Sequence, residues 1–441
     1  IIEKLQEFAL EGIDGHVDAV ERWLDETPLS IDDEAKRDAL KALFTESRVA
    51  LIYGAAGTGK STMVNYIANY FGDSTKLFLA HTNPAKANLE RRVSAPGVEV
   101  RTISSQIGRT GLQPDYDVLV IDECSIVSNS DLLKVLNNTS FTLLVLVGDI
   151  FQIEAIQFGN WFSIAPEFLP RSAVFELTKS WRTEDETLIE FWGKVRQLED
   201  DIEETIAHYG YSTVLDDSLF EPQRDDEIIL CLNYDGLYGI NNVNRFLQAS
   251  NAGKSAVWGA STYKVGDPVL FGDSDRFHPV IYNNLKGRIV AIEIFPSHIQ
   301  FDVWLDRPVT ELHVDGFDLR YVGDSTVQFD VYPRMNTDED TEDLNSTVPF
   351  QVAYAVSIHK SQGLEYESVK VVITDANEDD ISHGIFYTAI TRARESLKIF
   401  WTPETQHAVM SKLERKAHGK DVAILKARRG LGRAGKRMAA S

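Results

Sequence analysis

Residues 51–62, Leu-Ile-Tyr-Gly-Ala-Ala-Gly-Thr-Gly-Lys-Ser-Thr, restrict what this chain can fold into more than any other stretch. They fit G-x-x-x-x-G-K-[ST], with Gly54, Gly59, Lys60 and Ser61 in the required places and Gly57 and Thr62 beside them. Such a loop curls backbone N–H groups around a polyphosphate. Its lysine reaches the terminal phosphates, and its hydroxyl can ligate Mg²⁺ at a helix N-terminus. The plain alternative is a glycine turn. The apolar run Val49 to Ile52 before the loop and the helical pattern Met63 to Phe71 after it favour a nucleotide site between strand and helix.

The following residues alternate in the same way. Strands are expected at Lys76 to Ala80, Val98 to Arg101, Val118 to Ile121 and Phe141 to Val147, with helices at Ala85 to Val93 and Asp131 to Leu136. Apolar strands alternating with helices imply an α/β fold with a parallel sheet covered on both faces. The strand Val118 to Ile121 runs into Asp122-Glu123, where a phosphate-loop enzyme needs one carboxylate for Mg²⁺ and another for the attacking water. A solvent-facing acidic strand end is the competing reading. The next strand ends in Gly148-Asp149-Ile150-Phe151-Gln152, which brings the amide of Gln152 to the same edge. Residues 1–45 read as two helices separated by Pro28, with Ser30 as the cap of the second.

These residues resemble the superfamily-one helicases, RecD-like in type. Gly148-Asp149-x-x-Gln152 is similar to the third motif of that family. Leu79 to Ala85 resembles its strand-end motif, Arg101-Thr102-Ile103-Ser104-Ser105 its Thr-Ile-His-Ser segment, and Leu177 to Arg182 the segment whose arginine enters the nucleotide site. Ser357 to Tyr366 is close to the fifth motif and Phe386 to Arg394 to the sixth. The resemblance implies a second RecA-like domain, begun by a strand at Ile228 to Leu232 and a helix at Gly239 to Ala249 and completed by strands at Val352 to Ala355 and Val369 to Ile373. It also implies ATP and Mg²⁺ as cofactors, with Lys60 and Ser61 on phosphates and metal, Asp122 on the metal and Glu123 activating water. Gln152 would sense the terminal phosphate, and Arg182 and Arg392 would act as arginine fingers. Thr82, Asn83, Thr102, Ser357 and His359 would contact a nucleic-acid backbone, although Ser and Thr cap strand and helix ends just as readily. Trp161, Phe162 and Trp258 are candidates for base stacking, with burial the commoner fate of such rings.

Between the two halves of the second domain, Tyr263 to Tyr332 holds short β-rich runs broken by Gly, Pro and Asn-Asn, which predicts a small antiparallel barrel or sheet. It resembles the SH3-like insertion of RecD-like members, and the acidic run Asp338 to Asp343 follows it as an exposed loop. The expected layout is a helical region over 1–46, a first RecA-like domain over 47–183, a second over 184–262 and 349–403, the insertion over 263–348, and a C-terminal helix with a basic tail over 404–441.

The net charge of −23 argues by itself against a protein that coats nucleic acid. The charge is uneven, however: from residue 411 on, ten Lys or Arg stand against two acids, which gives +8 and leaves −31 elsewhere. That end is either a solvated tail or a phosphate-binding arm. No apolar run approaches the roughly twenty residues of a membrane span, and Cys124 and Cys231 offer no disulfide framework, which suits a cytoplasmic location. The expected partner is single-stranded DNA or, with the same motor, RNA. A further class is a nucleotide-operated switch that does not translocate.

Two departures from the family stand out. There is no Gln between Asp25 and Ala50, where the family's adenine-reading glutamine is usual, and only Gln106 to Asp117 occupies the place of a wedge subdomain. An intact motor that separates strands weakly, or with help from a protein partner, is therefore expected. The segments Ser361-Gln362-Gly363 and Tyr387-Thr388-Ala389 look RecD-like and imply 5′-to-3′ movement.

Overall fold

The computed structural model describes residues 1–31, 33–55, 57–111, 113–153, 159–272, 275–333, 344–414 and 418–433. The acidic run at 338–343 and basic residues Arg415, Lys416, Lys436 and Arg437 lie outside them. The chain forms two units. One comprises Ile1–Ile202, His383–Thr388 and the residues from Leu413 on, and the other comprises Glu203–Ser382 with Ala389–Lys412.

The first unit is built on a sheet of six parallel strands, β1 (Val49–Gly54), β2 (Lys76–Ala80), β3 (Val98–Thr102), β4 (Asp115–Ile121), β5 (Ser140–Gly148) and β6 (Val174–Leu177), in the order β3-β2-β4-β5-β1-β6. Its central strands are apolar on both faces, and Leu51, Ile52, Leu119, Ile121, Leu144 and Leu146 are all fully buried. In register, Leu51 faces Leu146 on one side and Val174 on the other, while Leu146 also faces Ile121. The carboxyl ends of β4, β5, β1 and β6 therefore lie side by side. Ligands bind at that edge of parallel sheets.

Three helices, not two, precede the sheet: α1 (Ile2–Phe8), α2 (His16–Glu26) and α3 (Glu34–Ala42). The middle one leaves little trace in the apolar pattern because its buried contribution is sparse, with only His16 and Val20 buried. Asp33, rather than Ser30, caps α3 by accepting from the Ala35 N–H at 3.1 Å. The sheet's own helices are α4 (Lys60–Tyr70), α5 (Asn83–Arg92), α6 (Ile103–Ile107) and α7 (Asn129–Asn138). The sequence reading divides the chain at 183, whereas the structure groups residues through Ile202 with the first unit. Helix Glu186–Gln197 is tied there by Arg196, which donates to Glu176 at 2.7 Å. From the C-terminal segment, Asp421 accepts from Asn160 at 2.6 Å.

The second unit contains a five-stranded parallel sheet in the spatial order Ala355–Ser357, Glu227–Cys231, Tyr366–Val372, Ala393–Phe400 and Ser212–Thr213. Lys370 lies inside this sheet, 1% exposed, and pairs with Glu227 at 2.9 Å while donating to the carbonyls of Leu219 and Glu221. Removing one partner of a buried pair strands the other charge. Lys370→Ala is therefore expected to lower stability by about 3–5 kcal/mol, measured by denaturant unfolding.

The β-rich segment is a six-stranded antiparallel sheet running from Arg320–Gly323 at one edge, through Thr326–Val331, Ile299–Leu305, Lys286–Ile294 and Pro268–Phe271, to Phe350–Val352. The single strand expected at Val352 to Ala355 is in fact two strands in two sheets. Phe350–Val352 closes the antiparallel sheet, and Ala355–Ser357 joins the parallel one. The change takes place at Ala353 and Tyr354. The Ala353 N–H donates to the Pro268 carbonyl, and the Tyr354 hydroxyl donates to Asp267 at 2.9 Å. Asp267 is fully buried and also accepts from Gln248, from Asn251 and from the Lys264 N–H. An apolar run of this kind shows that a strand is present, but periodicity alone does not show which sheet it belongs to.

Candidate nucleotide site

The phosphate loop joins β1 to α4 as expected. Gly57 and Gly59 both have positive φ, at 76° and 78°, which favours glycine. Side chains would also collide there. A Cβ at Gly57 would overlap that of Arg182, and one at Gly59 would come within 2.7 Å of Lys36 Nζ. Lys60 opens α4 and folds back on the loop, donating to the carbonyls of Gly54 at 2.9 Å and Ala55 at 2.8 Å. Burial pulls its pKa down, opposed by Asp149 and then Asp122. Ser61 is half-buried beside it and accepts a long bond from Arg92 at 3.4 Å, while Thr62 is exposed.

Asp122 follows β4 and Asp149 follows β5, and burial raises the pKa of both against the opposing pull of Lys60. Asp122 accepts from the Glu123 N–H at 2.9 Å. Glu123 itself sits at φ 53° and ψ 42°, a left-handed conformation uncommon outside glycine, so the chain turns sharply away from the strand at this residue. Gln152 is half-buried in the turn after Asp149. The start of the sixth-motif helix packs beside it: Thr388 accepts from the Ile153 N–H at 3.3 Å, and Gly384 lies against the Gln152 carbonyl.

Arg182 reaches the loop from the chain after β6. The preceding Trp181 donates its N–H to the Gly57 carbonyl at 2.7 Å, which fixes the segment to the loop. The structure therefore brings together Gly54, Gly57, Gly59, Lys60, Ser61, Asp122, Glu123, Gln152 and Arg182 along one edge of a single sheet. Arg392 belongs to the second unit. Far from being a surface residue, it is 3% exposed in the turn after the helix, and its guanidinium donates to the Leu364 carbonyl at 3.1 Å.

The sequence reading missed three residues here. Arg196 lies over the Phe151 ring at 4.4 Å and interacts with Asp149. Lys36 and Trp181 flank the loop on the β6 side, with Trp181 48% exposed. Lys36 and Arg196 sit in no local pattern that marks them, while Trp181 lies inside the Leu177 to Arg182 segment, next to Arg182.

Among the nucleic-acid candidates, Thr82 and Thr102 do cap helices, accepting from Ala85 at 3.3 Å and Ser105 at 3.2 Å. Asn83 is the first residue of α5. In the second unit, Ser357 is buried and accepts from the Lys360 N–H at 3.1 Å, and His359 is exposed. Trp161 and Phe162 are each 1% exposed in the core and so do not stack on bases, while Trp258 is half-buried. Among its described residues, the interval Gln106 to Asp117 holds the end of α6, a connection and the start of β4. Among the described residues no helix is long and apolar enough to cross a membrane.

Residues 33–213 match the AAA domain family, and residues 352–399 match the UvrD-like helicase C-terminal domain. The RecBCD enzyme subunit RecD of Mycolicibacterium smegmatis is 23% identical over 430 residues, covering 83% of this chain and 70% of its own length. The ATP-dependent RecD2 DNA helicase of Deinococcus radiodurans is 24% identical, covering 79% of this chain and 46% of itself. The human ATP-dependent DNA helicase PIF1 is 22% identical, with 77% and 56% covered. This chain thus spans about half of two of these relatives. In fold it is similar to a Bacteroides Pif1 helicase solved with ADP-AlF3 and single-stranded DNA (TM-score 0.59, 17% identity, 92% of this chain and all of that one). It is also similar to Pif1 of Candida albicans (TM-score 0.56, 18% identity, 91% and 99%).

Proposed function

We infer that this chain, which belongs to the RecD-like superfamily-one helicases, is an ATP-dependent DNA helicase whose motor runs on single-stranded DNA. The observation that carries this reading is the meeting of Lys60, Asp122, Asp149 and Arg182 at one sheet edge, with the electrostatic coupling of Lys60 to both carboxylates. Lys60 leaves the carbonyls of Gly54 and Ala55 to hold the terminal phosphates, and the loop's N–H groups hold the rest. Glu123 takes a proton from the attacking water, Gln152 positions that water, and Arg182 meets the charge that develops on the transferring phosphoryl group. Arg392 has the second finger role on the strength of its motif.

The Ser61 hydroxyl and the Asp122 carboxylate suit Mg²⁺, a hard cation that takes oxygen ligands, and the resistance of buried Asp122 to ionising is relieved by such a charge. When bound, Mg²⁺ neutralises charge on the phosphates.

Thr82, Asn83 and Thr102, at the starts of two helices, and Ser357 and His359 in the second unit contact the strand's phosphates. Movement is 5′-to-3′, the antiparallel insertion is SH3-like, and strand separation is weak for want of a wedge. ATPase activity with single-stranded DNA, single-stranded RNA and no polymer tests the function, beside strand displacement on substrates with 5′ or 3′ tails. DNA is expected to stimulate hydrolysis at least tenfold, with displacement slow and confined to 5′ tails. Absence of stimulation by either polymer would return the chain to the class of nucleotide switches.

A further inference from the structure

Lys36 is a charged side chain only 5% exposed, and it comes from α3, outside every motif. Its Nζ lies against Gly59 of the phosphate loop and 5.4 Å from the centre of the Trp181 ring. Asp33 is its ion-pair partner at 3.5 Å, longer than the roughly 2.7–2.9 Å of a close charge-assisted hydrogen bond. Asp33 is also occupied in capping α3 through the Ala35 N–H. What Lys36 presents at the loop is therefore a set of N–H donors and no acceptor.

The strand order gives the side of the loop that Lys36 occupies. Asp122 and Asp149 stand at the ends of β4 and β5, on one side of β1, while β6 lies on the other side, with α3 packed against it. A nucleotide with its terminal phosphates at Lys60 and the two carboxylates extends its base toward the β6 side. Lys36 is held there, 5.4 Å from the centre of the Trp181 ring, over which the Lys179 ammonium lies at 3.9 Å.

The two purines differ in what they show on that edge. Adenine presents an acceptor at N7 and a donor at N6, which a glutamine amide can match as donor and acceptor together. Guanine presents two acceptors, N7 and O6, which suit a donor-only ammonium. This chain has no glutamine between Asp25 and Ala50, and it has Lys36 at the loop. We propose that Lys36 reads the base of the bound nucleotide and that the motor accepts GTP alongside ATP. This rests on the nucleotide-site reading above and adds the base specificity of that site.

The test is kcat/KM for ATP and GTP in the full chain, stimulated by single-stranded DNA, for the parent, Lys36→Gln and Lys36→Met. The parent is expected to use GTP within about tenfold of ATP. Lys36→Gln is expected to lower the GTP-to-ATP ratio by tenfold or more, mainly through KM, because a matched pair of contacts discriminates at about this level. Lys36→Met should lower the GTP-to-ATP ratio by less than Lys36→Gln, because it removes the donors without supplying an amide that matches adenine. An unchanged ratio in both variants overturns the proposal, as does an equal loss for both nucleotides, which would make Lys36 a phosphate contact. If the parent hydrolyses neither nucleotide, the motor reading fails. The Kd values of ADP and GDP by calorimetry, parent against Lys36→Gln, then decide the role of Lys36 by the same ratio.

Discussion

Lys60→Ala is expected to abolish DNA-stimulated ATP hydrolysis, with kcat down at least about a hundredfold, the scale of losing one preorganised charge-stabilising group. Lys60 is poised for this role. Its ammonium sits on two loop carbonyls that it can give up without a change of fold, and its neighbours Asp149 and Asp122 oppose the downward pull of burial on its pKa. The left-handed turns of the loop are made by glycine at positions 57 and 59, and Lys60 adds two bonds to loop carbonyls, so the variant should still fold. Steady-state hydrolysis beside a thermal melt separates these effects. Near-parental turnover in a folded variant would remove the phosphate-loop assignment.

The second large effect is expected at Glu123. Glu123→Gln keeps the shape and removes the base, so hydrolysis should fall about 10²- to 10⁴-fold while nucleotide binding persists. The backbone supports this separation. The left-handed turn at Glu123 is held by its own N–H donating to Asp122, a bond that the side-chain amide does not disturb. Residues in sparsely populated backbone regions cluster where function needs a particular projection, at a cost of order 1–3 kcal/mol. Single-turnover hydrolysis and nucleotide titration on the same preparation check the result. Normal turnover would transfer the base role to another group.

The parts of the site that could be read from the sequence are those whose chemistry and spacing lie within one strand-turn-helix step. Gly54 to Ser61 and Asp122-Glu123 are of that kind, because a buried parallel strand delivers the residue after it to a fixed edge. Lys36 and Arg196 could not be read that way, and Trp181, although beside Arg182 in its segment, carries no chemistry of its own to mark it. Lys36 and Arg196 each reach the site from a separate helix, and in sequence each looks like an ordinary amphipathic position. The strand divided between Val352 and Ala355 was obscured for a related reason. Its apolar residues satisfy two neighbouring sheets equally well, and only pairing with Pro268–Phe271 on one side and Glu227–Cys231 on the other separates them. Asp33 competed with Ser30 for the same helix start, and position relative to the first turn decided between them.

Asp267 has a mechanical consequence. It gathers the helix Ile240–Ser250 through Gln248, the strand Ser261–Lys264 that leads into the antiparallel sheet through the Lys264 N–H, and the returning chain through Tyr354. A tether at one end would let the inserted sheet swing freely. A buried knot of three attachments makes the joint stiff, so a load applied to the insertion is passed to the helix beside the parallel sheet instead of being lost in a hinge.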